Sequence, residues 1–130
     1  METISISAWL YETLAGNAVG VGDRVHEGAA PEGTTYPLIV FDLYSGSDTM
    51  GVGPARILVD SRWMIKAVDR SQSFTNLKTI VDAIDNLLHG ATPYANGVLG
   101  AVREQPVQFV EEIDGVQYRY LGGIYRILAN

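Results

Sequence analysis

The chain has 130 residues, 47% apolar and 18% charged, with no cysteine and a formal net charge of −6. That length predicts one domain, residues 1–130, large enough to bury a core without covalent staples. Disulfide frameworks and thiolate metal sites are excluded by the missing cysteines, and nine scattered Lys and Arg in an acidic chain argue against a surface built to grip nucleic acid.

Residues 4–15 predict an amphipathic helix, capped by Ser5 or Ser7, with Ile6, Trp9, Leu10 and Leu14 on one face and Gly16 as its stop. Before it, Met1-Glu2-Thr3-Ile4-Ser5 is acidic where a signal peptide is basic. No apolar run approaches the ~18 residues of a membrane span, so a cytosolic site of synthesis is expected. Arg24–Glu27 predicts a short strand, and Pro31–Pro37 a turn feeding the next one. Leu38–Tyr44 is apolar on both faces: Ile39, Phe41 and Leu43 on one, Leu38, Val40 and Tyr44 on the other. Such a strand is either sandwiched within the fold or pressed against a neighbouring subunit.

Ser45–Pro54, rich in Gly and Ser, predicts a mobile loop. Arg56–Asp69 alternates as a long strand, with Ile57, Val59, Trp63, Ile65 and Ala67 inward and Arg56, Asp60, Arg62 and Lys66 outward. Ser73–His89 carries the strongest helical period, through Phe74, Leu77, Val81, Ile84 and Leu88. Val98–Gln105 is the next strand, and Pro106 requires a break or an edge position there. Asp114-Gly115 predicts a two-residue hairpin turn that pairs Ile113 with Val116 and Phe109 with Tyr120. Gly122-Gly123 predicts a bulge that swaps faces and turns Tyr125 and Ile127 inward, Arg126 outward. The order helix, strands, helix, strands implies an α+β fold: an antiparallel or mixed sheet with two helices packed on one face.

No arrangement of residues carries a reaction. The glycine-rich stretch Gly46–Gly53 is followed by Pro54 and a strand, whereas a phosphate loop needs a helix there. His26 and His89 lack further ligands, and His89 ends a helix whose dipole favours an imidazolium. Asp42, set in an apolar strand, needs a partner, for which Arg56 or Arg62 is expected. Tyr118, Tyr120 and Tyr125 beside Arg119 and Arg126 mimic a base-stacking platform, but sheet packing explains them without a basic groove. No catalytic residue, cofactor or metal is expected.

The ordered segments resemble a known family. Gly22-Asp23-Arg24-Val25-His26, Ala30-Pro31-Glu32-Gly33-Thr34-Thr35-Tyr36-Pro37-Leu38-Ile39-Val40-Phe41, Trp63-Met64-Ile65-Lys66-Ala67, Ile84-Asp85-Asn86-Leu87-Leu88, Asp114-Gly115-Val116-Gln117-Tyr118-Arg119 and Tyr125-Arg126-Ile127 follow the pattern of tail completion proteins of long-tailed bacteriophages. The resemblance implies a non-enzymatic virion protein, assembled in the host cytoplasm, that forms a homo-oligomeric ring, usually a hexamer, at the head-proximal end of the tail. The ring would stop tube polymerisation, touch the tail tube protein and the head–tail connector of the neck, and let DNA through its lumen without specific binding or any membrane contact. Exposure arguments place contacts at Val40, Tyr44, Asp48, Met50, Val52, Arg56 and Arg62. Alternatives are a neck or head-completion adaptor and, from another class, a small α+β ligand-binding domain or enzyme.

Overall fold

A computed structural model describes residues 2–51, 53 and 56–130. Its elements are α1 (Glu2–Leu14), β1 (Val25–Glu27), β2 (Leu38–Met50), β3 (Arg56–Asp69), α2 (Thr75–Leu88), β4 (Val98–Ile113) and β5 (Val116–Ala129). The strands form one sheet in the order β1-β2-β3-β5-β4, with β1 parallel to β2 and every other pair antiparallel. The fold is α+β with a mixed sheet, as expected.

The main core lies between the helices and one face of the sheet. Ile6, Trp9, Leu10 and Leu14 of α1 and Leu77, Ile80, Val81, Ile84 and Leu88 of α2 pack there on Ile39, Phe41, Trp63, Ile65, Tyr125 and Ile127. The period of 3.6 in the helices and of 2 in the strands puts these side chains on facing surfaces. α1 starts earlier than predicted, so Ser5 and Ser7 are interior helix positions and neither caps it. The Ser7 hydroxyl instead donates to the Glu27 carboxylate at 2.7 Å and ties α1 to β1. Gly16, at φ 76°, ends the helix in the left-handed region that suits glycine. At the start of α2 the Ser73 hydroxyl accepts the Thr75 N–H at 3.1 Å, although Phe74 holds the capping position.

β2 departs most from expectation. Six residues of the predicted loop, Ser45 to Met50, are strand, paired with β3 from Ser45↔Arg62 to Met50↔Arg56. Cross-strand pairing with an alternating partner outweighs the loop-forming composition of Ser45-Gly46-Ser47. Register shifts fall between Leu43 and Ser45 and between Thr49 and Met50, so Tyr44 stands unpaired in a bulge.

The β4–β5 hairpin forms as predicted. Asp114 and Gly115 both have positive φ (52° and 78°), Ile113 pairs with Val116, and Phe109 stacks on Tyr120 with ring centroids 4.4 Å apart. The bulge expected at Gly122-Gly123 does not. β5 pairs with β3 without a shift from Arg119 to Ala129, and the irregularities lie in β4, between Val98 and Gly100 and between Arg103 and Gln105. Faces along β5 therefore alternate unbroken: Tyr118 and Tyr120 lie away from the helices, Tyr125 and Ile127 beneath them. The glycines answer a different need. A Cβ on Gly122 would stand 2.0 Å from the Ile65 carbonyl oxygen, so β5 crosses β3 too closely for a side chain there. Pro106 sits in β4, an edge strand, where its missing N–H is tolerated.

A candidate assembly surface on the sheet's outer face

The face turned away from the helices carries a groove, a charge network and an arm. The groove begins with the Pro31–Pro37 segment. Arg24 pins that segment by donating from Nε to the Pro37 carbonyl and from Nη2 to the Gly20 carbonyl, each at 2.9 Å. Tyr36 then packs its ring on Tyr118, centroids 5.7 Å apart, with the Arg70 guanidinium 4.7 Å from the Tyr36 centroid. Between this segment and the β4–β5 hairpin lies a cavity of about 300 Å³. Leu38, Val40 and Val68 form its buried floor, Lys66 and Tyr120 line it, and Ala29 and Ile113 stand exposed at its rim. The Lys66 ammonium lies 5.5 Å from the Tyr120 ring centroid and 5.8 Å from that of Phe109. Tyr120 donates its hydroxyl to the Glu111 carboxylate at 3.0 Å, and burial, reinforced by that carboxylate, pushes its pKa up to about 12.

The charge network joins three strands. Arg126 on β5 donates a fork to Asp60 on β3, Nε to Oδ1 at 2.9 Å and Nη2 to Oδ2 at 2.8 Å. Arg62 on β3 donates to Glu104 on β4 at 2.9 Å and lies 3.5 Å from Asp60. The Arg126 hydrogen bonds hold the Asp60 carboxyl below its ordinary pKa; burial opposes this, and the charges of Arg126 and Arg62 add to it. A depressed carboxylate stabilises the fold above its unfolded pKa, near 3.9, and that stabilisation disappears as pH falls through the folded value. Asp60→Asn is therefore expected to be less stable than the parent at pH 7 and to lose less further stability below about pH 4. Urea midpoints at pH 7, 4 and 3 measure both effects; parallel curves would show that Asp60 has no such role.

The expected contact residues separate into distinct environments. Val40 is only 6% exposed, because the chain's own Pro31–Pro37 segment and hairpin cover the second face of β2. β2 is thus sandwiched within the chain at that end, and Val40 reaches the outer face only as part of the groove floor. Tyr44 and Met50 are 59% and 53% exposed, and Asp48 is exposed opposite Val59. Arg62 belongs to the charge network. Val52 and the side chain of Arg56 lie outside the described residues, though the Arg56 backbone pairs with Met50.

Other expectations also change. Asp42 is half-buried opposite Met64, and Arg62 is engaged with Glu104 and Asp60 instead of with it. His89 Nδ1 accepts the Arg103 backbone N–H at 2.9 Å, which ties the end of α2 to β4. His26 is half-buried on β1, and its Nε2 is buried without a hydrogen-bond partner. Among the described residues no three His, Asp or Glu are grouped to hold a metal ion. The groove and the Arg126–Asp60 fork escaped sequence reasoning. The outward placement of Asp60 and Arg126 was the available signal, and only the β3–β5 register brings them together.

The distinctive groups of this α+β domain are spread over a groove, a charged sheet face and an arm. Residues 5–120 match the family of tail completion protein gp17, and the chain belongs to that family. It is a structural protein of a phage-type tail, located in the virion. Among solved structures, it is similar in fold to a chain of the virion of a native gene transfer agent particle, with a TM-score of 0.58 at 14% identity. That alignment covers 99% of this chain and 92% of the other. No curated protein matches the sequence.

Proposed function

We propose that copies of this protein close into a ring, taken as a hexamer, at the head-proximal end of the tail. The ring ends tube polymerisation, joins the tail tube protein to the head–tail connector, and leaves a lumen for DNA. The observation that carries this reading is the family match over residues 5–120. The chain's own properties suit it: a net charge of −6 does not retain DNA in a channel. The arm from Leu43 to Met50, with Tyr44, Asp48 and Met50 exposed, offers a neighbour something to hold. Ring closure needs a heterologous contact, one patch of a subunit meeting a different patch of the next.

Adding the protein to polymerising tail tube subunits tests the assignment. A terminator gives short, uniform tubes by electron microscopy at substoichiometric ratios. Tube lengths that stay the same while the protein still binds the connector would instead make it a neck adaptor.

A further inference from the structure

If copies close into the ring proposed above, the arm of each needs a receptor on the next. We propose that the arm tip, Thr49 to Gly51, inserts into the groove of the adjacent copy, with Met50 as its anchor. β1 pairs with β2 only as far as Phe41, so one edge of β2 is open from Asp42 onward. β5 pairs with β3 only as far as Val59, so the tip beyond Asp48↔Val59 is held by β3 alone. A large apolar side chain, Met50, stands 53% exposed at this extremity. Met is flexible and polarisable, and adapts to an irregular apolar site.

The groove lies at the other end of the same strand. Its floor residue Val40 precedes Met50 by ten positions, a separation of roughly 33 Å along an extended strand. An arm held in that strand does not fold back onto its own floor, so a tip that fills this groove comes from another molecule. The groove suits such a tip. At about 300 Å³ it falls at the small end of binding pockets, which run roughly 300–1,000 Å³. Its floor of Leu38, Val40 and Val68 is apolar. Lys66 contributes a cation that stands over two aromatic rings and enters none of the ion pairs among the described residues. From Leu43 to Gly51 the arm carries one charged side chain, Asp48, of opposite sign. Arm and groove are different patches of one chain, so the contact is head-to-tail, the kind that closes rings.

Because the chain has no cysteine, engineered thiols report this contact cleanly. Met50→Cys is mixed under mild oxidation with Ala29→Cys or with Ile113→Cys, the two exposed rim positions, and with Val110→Cys on the β4 edge as a control. The expected result is a disulfide-linked dimer in non-reducing gels with at least one rim variant, at least tenfold more than with Val110→Cys. A double variant carrying the productive pair should give a ladder up to the ring size. A ring seen by native mass spectrometry whose tip links to neither rim, or links equally to Val110→Cys, overturns the arm-in-groove contact and leaves the ring standing. A strict monomer at every concentration and on tail tips overturns both.

Discussion

Replacing Gly122 with alanine is expected to cost at least about 3 kcal/mol, a large share of the roughly 5–15 kcal/mol that holds a domain folded. The added Cβ would stand 2.0 Å from the Ile65 carbonyl oxygen and 2.6 Å from the Lys66 Cα. Both are backbone atoms of the neighbouring strand, so no side chain can swing away to make room. Overpacking a well-packed core of side chains typically costs ~1–3 kcal/mol, and a collision with paired backbone exceeds that range. β5 is held on both sides, by β3 and β4, which leaves it no free direction to move. Gly46→Ala is the control: its Cβ would meet Ser61 Cβ at 3.5 Å and the Asp60 carbonyl oxygen at 3.6 Å, ordinary contact distances. Urea unfolding followed by tryptophan fluorescence compares the two, since Trp9 and Trp63 are both buried. A Gly122→Ala protein within about 1 kcal/mol of the parent would mean that the strands do not cross this closely.

Trp63→Ala is expected to destabilise by about 3–5 kcal/mol, the usual range for removing a large buried aromatic. Trp63 is 1% exposed and packs against Phe41 with ring centroids 6.2 Å apart. Its indole N–H donates at 2.9 Å to the Ser61 hydroxyl, which donates in turn to the Ile127 carbonyl at 2.9 Å. Ser61 is fully buried, so this relay satisfies an indole donor and a hydroxyl that water cannot reach. Ser61→Ala leaves the indole N–H unpaired at a cost of about 1–3 kcal/mol. Measuring both substitutions and their double mutant separates packing from the relay. A Ser61→Ala protein as stable as the parent would rule the relay out as a source of stability.

How much could be read in advance follows from where each signal resides. Local periodicity was enough for α2, for β3 to the residue, and for the turn at Asp114-Gly115, because each depends on a contiguous pattern. Composition misled at Ser45–Met50: glycine and serine describe what a segment does alone, and here β3 supplies the partner. Gly122-Gly123 misled differently. Glycine marks either a bulge or a close approach, and only the three-dimensional crossing of β5 over β3 distinguishes them. The exposed Tyr44 and Met50 of the candidate surface were legible, Tyr44 as the last outward residue of the apolar run Leu38–Tyr44 and Met50 as an apolar residue in the Gly/Ser-rich stretch after it. Val40 was not, since its cover comes from Tyr36 and Tyr120, close and distant in sequence, brought together by the sheet order.

The outer edge of β4 bears on what this subunit refuses to do. An open edge on a strand of sixteen residues is ordinarily an invitation to fibre growth, because each copy that adds presents the same edge again. This one is spoiled along its length. Ala91 bridges to Ala101 at its start, the pairing slips between Arg103 and Gln105, Pro106 withholds a donor, and Glu111 and Glu112 put negative charge near its end. The opposite edge is stepped, with the three residues of β1 followed by the open side of β2 from Asp42 onward. A sheet whose longest edge is broken in this way does not lend itself to stacking copies edge to edge.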